Sequence, residues 1–155
     1  MTSPAHLAIV QAGVGQELHA FGDVLTVMLA GEQTGQTLTV MSDTTPPGGG
    51  PPPHVHSKED ELFLVVEGRV SFFVQDRWTE VGPGAAVYLP RGTAHCYRNV
   101  GTKPSRQWIL TTPSGFERAF ARCAAEFSRA GGPDMNRIVA ILRDHGIELV
   151  EPQSG

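Results

Sequence analysis

The stretch PPPHVHSKEDELFLVVEG, residues 51–68, carries the strongest signal in the chain. His54 and His56 are two residues apart, and on a β-strand this spacing places both side chains on the same face. Glu61 begins the strand that follows. Imidazoles suit zinc, iron, nickel and copper, and a carboxylate adds charge and tolerates manganese. The stretch therefore predicts a metal site built from two neighbouring strands.

A second informative stretch, GAAVYLPRGTAHCYRN, lies downstream at residues 84–99. Pro90-Arg91-Gly92 has the composition of a tight turn, and a strand beginning at His95 follows it. This position allows His95 to supply a further ligand from a distant segment. Tyr97 has the same strand parity as His95, so it is expected to face the same interior.

Short strands separated by glycine and proline turns extend on both sides of these stretches. The chain has 18 Gly and 12 Pro in 155 residues, a composition that favours many short strands over long helices. The pattern predicts an all-β sandwich or barrel with a core over about residues 14–112. The predicted strands are 14–21, 24–30, 37–42, 61–67, 70–75, 78–81, 85–90, 95–100 and 106–112.

The pattern changes after Pro113, where helical periodicity begins. Ser114 and Glu117 have the spacing of a capping box for a first helix. Asp134 is a candidate N-cap for a second helix, which Gly146 ends. We expect two short helices over about residues 114–146, packed on the barrel as part of one domain spanning residues 1–155.

Two motifs together resemble those of the cupin superfamily. The first consists of Gly48, His54, His56, Glu61 and Gly68, and the second of Gly84, Pro90, Gly92, His95 and Asn99. The resemblance implies a double-stranded β-helix, or jelly-roll barrel, that holds one divalent metal ion (Fe, Mn, Ni, Co, Cu or Zn). It also implies that His54, His56, Glu61 and His95 are the ligands. Glu59 and Asp60 remain alternatives to Glu61, although Glu61 fits the spacing to Gly68 better.

The resemblance extends to quercetin 2,3-dioxygenase-like bacterial monocupins. It implies a metal-dependent dioxygenase that acts on a flavonol-like or other small enolisable aromatic substrate, with Glu61 as the catalytic base. The alternatives are a non-redox cupin, such as a polyketide cyclase or isomerase with zinc as a Lewis acid, and a small-molecule binding protein without turnover. Candidate substrate-binding residues on the cavity wall are Met28, Phe63, Val65, Phe72, Val74, Tyr88 and Tyr97.

Composition limits the partners. A formal net charge of −4 argues against nucleic-acid binding. The apolar run near the N-terminus is too short for a signal sequence, and no run approaches a membrane span. Cys96 and Cys123 do not form a disulfide framework, which favours a cytoplasmic location. The resemblance implies a homodimer, to which residues 14–30 would contribute an exposed sheet edge.

Overall fold

The computed structural model describes residues 4–151, which form two antiparallel β-sheets and two short helices. None of the helices in that part of the chain is both long enough and apolar enough to cross a membrane. The strands are β1 (Gln16–Ala20), β2 (Asp23–Leu29), β3 (Thr39–Thr45), β4 (His54–His56), β5 (Asp60–Glu67), β6 (Val70–Val74), β7 (Arg77–Val81), β8 (Ala86–Leu89), β9 (His95–Asn99), β10 (Ser105–Thr112) and β11 (Ile147–Leu149). The helices are α1 (Phe116–Phe127) and α2 (Met135–Asp144).

The two sheets enclose one apolar core. The first has the strand order β1-β2-β3-β10-β5-β8, and the second has the order β11-β4-β9-β6-β7. Burial alternates strictly along β3, as expected for a strand with one face toward the core. Met41, Phe63, Val70 and Ile109, from both sheets, are almost fully buried in that core. The predicted all-β barrel with two C-terminal helices is therefore confirmed, whereas the extent of the domain over residues 1–155 stays a prediction.

Tight two-residue turns fix the register of the hairpins. Phe21 and Gly22 join β1 to β2 with φ angles of 55° and 82°, and Gln75 and Asp76 join β6 to β7 with φ angles of 51° and 58°. Two consecutive residues with positive φ match the right-handed twist of the flanking strands. The first of these turns places Asp23 at the start of β2 with an inward-facing side chain.

The start of α1 differs from the predicted capping box. Gly115, rather than Ser114, is the N-cap, and its amide donates a hydrogen bond to Glu117 Oε2 at 2.8 Å. Ser114 instead contacts the Gln36 side chain, with 3.1 Å between Oγ and Oε1. The Glu117 carboxylate accepts hydrogen bonds from the Gly31 amide at 3.0 Å and the Thr39 hydroxyl at 2.5 Å. The prediction was wrong because Glu117 is buried against the barrel, where it ties α1 to two segments remote in sequence.

The end of the chain returns to the barrel. Asp134 caps α2 by accepting hydrogen bonds from the amides of Asn136 and Arg137, as predicted. After Gly146 the chain forms β11, which pairs antiparallel with β4 and places Ile147 opposite His56. The sequence analysis missed this strand because three residues are too few to show an alternating pattern. It holds the outer edge of the strand that carries His54 and His56.

Candidate metal centre and its pocket

Three short segments bring the predicted ligands together. His54 on β4 is directly opposite His95 on β9 in the strand register. The other edge of β4 is held by β11, and the carbonyl of His56 accepts a hydrogen bond from the Gly92 amide at 2.7 Å. Glu61, near the start of β5 in the other sheet, reaches the same space. The imidazoles are thus placed by backbone pairing.

The side chains of His54, His56, Glu61 and His95 form a compact group. His54, Glu61 and His95 each offer a ligand atom within 4.8 Å of the others. His56 Nε2 is 3.5 Å from Glu61 Oε1, and His95 Nε2 is 2.9 Å from Glu61 Oε2. His56, His95 and Glu61 are each at most 4% exposed. The donor atoms of His54, Glu61 and His95 therefore converge in a buried space, and His56 adjoins them through its contact with Glu61.

Hydrogen bonds orient the three imidazoles in the same way. The Nδ1 atoms of His54 and His95 lie 2.9 Å from the carbonyl oxygens of Pro52 and Thr93, and His56 Nδ1 lies 3.1 Å from Glu59 Oε2. An Nδ1–H donated to oxygen leaves Nε2 as a free lone pair.

The Nε2 atoms test whether these residues fit a metal ion. Among the described residues, the buried Nε2 atoms of His56 and His95 have no hydrogen-bond partner. His95 Nε2 is close to Glu61 but does not have the geometry of a hydrogen bond to it. Ligating histidines share this arrangement, in which oxygen acceptors hold the other ring nitrogen. The residues present therefore fit a divalent cation.

The charges of the group also suit a cation. Burial alone would raise the pKa of Glu61, but the three imidazoles, His56 foremost, lower it to about 2. Burial and the neighbouring imidazoles lower the pKa of His54 to about 3. Burial would likewise lower the pKa of His95, but the Glu61 carboxylate outweighs it and raises that pKa. At neutral pH Glu61 is a carboxylate and His54 is neutral, the forms that bind metal ions.

Neighbouring acids have other roles. Glu59 is buried and hydrogen-bonded to His56 Nδ1. Asp60 forms an ion pair with Arg91, with 2.9 Å between Oδ1 and Nε, and this contact lowers the pKa of Asp60 to about 2. Of the three acids, Glu61 contacts the Nε2 atoms of His56 and His95, whereas Glu59 contacts the Nδ1 atom of His56. Glu61 as the metal ligand stays a prediction.

The group opens onto an apolar pocket. A cavity of about 50 Å³ lies between the barrel and the C-terminal segment, which forms one of its walls, the C-terminal cover. The barrel and its entry loop contribute Phe21, Asp23, Leu25, Pro51, Pro52, His54, Glu61, Phe63, Tyr97 and Ile109 to the lining, and the C-terminal segment contributes Phe116, Phe120, Leu142, Ile147 and Leu149. Typical ligand pockets measure roughly 300–1,000 Å³. A large flat substrate therefore requires movement of the C-terminal cover.

Comparison with known proteins agrees with this geometry. Residues 42–110 match the family model described as Cupin domain, a range that includes all four clustered side chains. This match identifies a cupin domain within residues 42–110. The structure of KdgF from Halomonas sp. aligns with 72% of this chain and 97% of its own, with a TM-score of 0.63 at 17% identity, which supports the fold alone.

Two relatives with named activities are similar to this cupin over different extents. The quercetin 2,3-dioxygenase of Bacillus subtilis is 24% identical over 90 residues, which are 58% of this chain and 27% of that protein. The polyketide cyclase RemF from Streptomyces resistomycificus is 26% identical, with a TM-score of 0.55, over 74% of this chain and 81% of its own. The chain spans less than half the length of the curated relatives that it matches.

The structure separates the predicted substrate-binding residues of the cupin barrel into three groups. Phe63 and Tyr97 line the pocket. The prediction for Tyr88 is wrong: its side chain is 60% exposed because it lies on the outer face of β8. Parity alone could not identify this face, since β8 has no sustained apolar alternation. The remaining four side chains do not line the pocket, although all are buried or partly buried: Met28, Val65, Phe72 and Val74.

The sequence analysis missed a second polar group inside the cupin barrel. Asp23 and Asp43 are 3% and 0% exposed, and both contact the hydroxyl of Tyr97. Asp23 also lines the pocket. Each lies alone on a different strand, so no spacing between them could signal the pair. The only sequence signal is that both acids occupy inward positions of otherwise apolar or threonine-rich strands.

Proposed function

We propose that this cupin is a metal-dependent dioxygenase acting on a small enolisable aromatic compound. The observation that carries the proposal is the convergence of three oriented imidazoles and one carboxylate on one buried space beside an apolar pocket. A bound divalent ion would supply a Lewis acid for a substrate oxygen and, where it is redox-active, a route for electrons to O₂.

The residues of the chain would perform the remaining tasks. Glu61 is ionised at neutral pH, so it can accept a proton from an enolisable substrate. Phe63 and Ile109 line the inner wall of the pocket, and Phe116 and Phe120 lie on its cover. These apolar surfaces favour a flat, uncharged molecule and exclude water from the reacting group.

The size of the pocket favours the smaller substrates in this class. A single-ring ketone or enol needs less rearrangement of α1 and β11 than a flavonol does, because the space enclosed is about 50 Å³. A flavonol remains within the proposal if the C-terminal cover moves outward on binding. Hydrogen exchange distinguishes the two kinds of substrate. Binding of a flavonol should change the protection of the backbone amides in the C-terminal cover, and binding of a single-ring compound should not.

A polyketide cyclase activity is the second candidate. The similarity to RemF supports it, since that likeness covers more of both chains than the likeness to the quercetin dioxygenase does. Such a reaction needs a Lewis acid and proton transfer but no dioxygen. Metal identity and oxygen consumption therefore distinguish the two candidates.

The test combines metal analysis of purified protein with oxygen uptake in the presence of flavonols and single-ring enolisable ketones. We expect uptake that disappears on chelation and returns with Fe, Mn, Ni or Co. The His95→Ala variant should lose both the metal and the uptake, whereas His19→Ala, which removes an exposed imidazole on β1, should retain them. Full zinc occupancy without oxygen consumption would support the cyclase, and absence of any bound metal would refute both candidates.

The proposal includes a homodimer. β1 lies at an open edge of the six-stranded sheet, and Leu7, Ile9 and Val14 before it are 94%, 81% and 58% exposed. An unpaired edge with exposed apolar residues invites pairing with a second chain. Light scattering should give twice the mass of one chain, and a monomeric mass would exclude this part of the proposal.

A further inference from the structure

A group of polar side chains is buried in the barrel beyond the metal ligands. It consists of Asp23 on β2, Asp43 and Thr45 on β3, Tyr97 on β9 and Gln107 on β10. Tyr97 Oη is 2.9 Å from Asp23 Oδ2 and 3.1 Å from Asp43 Oδ2. Two buried carboxyl groups thus meet at one phenol, and two negative charges in such a place would be costly.

The number of available protons limits the charge of the pair. The Tyr97 hydroxyl has one hydrogen and can donate to only one of the two carboxyl groups. Asp43 Oδ2 also accepts hydrogen bonds from Gln107 Nε2 at 3.0 Å and from Thr45 Oγ1 at 3.1 Å. Asp43 therefore receives more hydrogen bonds that stabilise a negative charge than Asp23 does. Asp23 is the carboxyl group that is expected to be protonated.

Asp23 is also the member of the pair that reaches the pocket. It lines the cavity together with His54, Glu61 and Tyr97, whereas Asp43 does not. Asp23 is 3% exposed, and among the described residues its Oδ1 atom, like that of Asp43, has no hydrogen-bond partner. A buried polar atom without a partner is costly unless something in the cavity satisfies it.

We infer that Asp23 is a ligand-binding residue that holds a proton and donates it in a hydrogen bond to an uncharged carbonyl oxygen of the molecule in the pocket. Asp43 and Tyr97 act as positioning residues that keep this proton on Asp23. The ligand class is an apolar aromatic ketone or its vinylogous equivalent. The inference rests on the proposed function only in using the same pocket for the substrate.

The electrostatics of the pair agree with the geometry. Burial foremost, and the negative charge of Asp43 after it, raise the pKa of Asp23 to about 7. Burial raises the pKa of Asp43 to about 6, and its hydrogen bonds from Gln107, Thr45 and Tyr97 limit the increase. The carboxyl group at the pocket is therefore the one that keeps its proton longer.

The first test is infrared spectroscopy of the full chain with ¹³C-labelled aspartate at neutral pH. A protonated carboxyl group absorbs at a higher frequency than a carboxylate, and the label identifies the band as aspartate. We expect such a band in the native chain and its loss in Asp23→Asn. The matched control is Asp76→Asn, in an exposed turn, which should keep the band. Absence of the band in the native chain would overturn the inference.

The second test compares acetophenone with ethylbenzene, which lacks the carbonyl oxygen. Because of one neutral hydrogen bond, the ketone should bind roughly twofold to twelvefold more tightly than the hydrocarbon. Asp23→Leu should abolish this preference and shift the carbonyl stretch of bound acetophenone to higher frequency. Asp23→Asn, which keeps a donor and the side-chain shape, should preserve part of both effects.

Two comparisons keep this result separate from the proposed function. Binding is measured on the chain as purified and again after chelation, so that coordination of the ketone to a metal contributes to only one data set. An effect of Asp23 that persists after chelation supports the inference even if no oxygen uptake is found. Equal binding of ketone and hydrocarbon by the native chain, or an unchanged preference in a folded Asp23→Leu variant, would refute it.

Discussion

The barrel contains two buried groups of carboxyl side chains that behave in opposite ways. Glu61 and Asp23 are 4% and 3% exposed, so burial penalises the charge of both. The pKa of Glu61 falls to about 2 because three imidazoles surround it. The pKa of Asp23 rises to about 7 because no cation offsets its burial and Asp43 adds a second negative charge. Neighbours, rather than depth, decide which buried acid in this barrel is charged.

The difference assigns the two groups to different tasks. A carboxylate among imidazoles can bind a cation, whereas a neutral carboxyl group beside an apolar pocket can donate a hydrogen bond to a ligand. Both groups border the same cavity, and β9 contributes one member to each, His95 and Tyr97. The following changes alter one group at a time, or both together.

The largest expected effect is on metal affinity. Glu61→Gln keeps the size of the side chain but removes the negative charge that faces the Nε2 atoms of His56 and His95. We expect at least a 100-fold loss of affinity, since changes that merely perturb the supporting residues of a metal site cost about 10–100-fold. Titration with a competing chelator measures it. Asp23→Asn serves as the control and should bind metal as the native chain does; similar losses in both variants would mean that the two groups are not separable.

The next change disturbs both groups at once. Gly50 has a φ angle of 146°, and a Cβ there would clash with the backbone carbonyl of Tyr97 on β9. Gly50→Ala should lower the free energy of unfolding by about 2 kcal/mol. Chemical denaturation measures the loss. Gly82→Ala meets no atom within 4 Å and has no positive φ, so it should be nearly neutral; equal effects of the two substitutions would contradict this account.

A smaller effect is expected from the residue that orients His56. Glu59→Gln replaces the carboxylate that accepts the hydrogen bond from His56 Nδ1–H. In the native chain, Glu59 Oε2 lies 3.1 Å from His56 Nδ1. Metal affinity should fall about tenfold, in the range found for such supporting residues. Asp60→Gln changes a neighbouring acid that pairs with Arg91 and should leave the affinity unchanged. The reverse result would show that Asp60 approaches the metal site in solution.

The smallest effect concerns stability and pH. The pKa of Asp23 is about 7 in the folded chain, whereas its ordinary value, which applies to the unfolded chain, is 3.8. At a pH between these two values, the folded state therefore holds a proton that the unfolded state has lost. Stability from this group therefore falls as pH rises through that window. Asp23→Asn removes the effect and should gain about 1 kcal/mol over the native chain between pH 6 and pH 7. Thermal melts at both pH values measure it, and a parallel pH dependence of the two proteins would contradict the raised pKa.

The sequence predicted one of these groups and not the other for a physical reason. His54, His56 and Glu61 lie within eight consecutive residues, and His95 follows a recognisable turn. Strand alternation places the first two on one face, and the resemblance to the cupin motifs implied the full set. Asp23 and Asp43 meet only through the pairing of β2 with β3 and the approach of β9. Such a contact depends on how strands from different parts of the sequence pair with one another. The spacing of residues within one short stretch of sequence does not predict this pairing.

The same limit explains the errors at the ends of elements. The strand and helix positions follow from turns and periodicity, and most were predicted to within a few residues. The interpretation of Ser114 as a cap was wrong because Glu117 has buried partners at Gly31 and Thr39, remote in sequence. β11 was missed because its identity as a strand depends on its partner β4.

The pairing of β11 with β4 has a consequence for the order of events during synthesis. Gly146, just before β11, is separated from Ser57, just after β4, by 89 positions. On the ribosome the histidine strand therefore emerges long before the segment that secures its outer edge. A chain still being translated has its imidazoles without their final support, and we expect the ion to be captured only after residues 147–149 have been released.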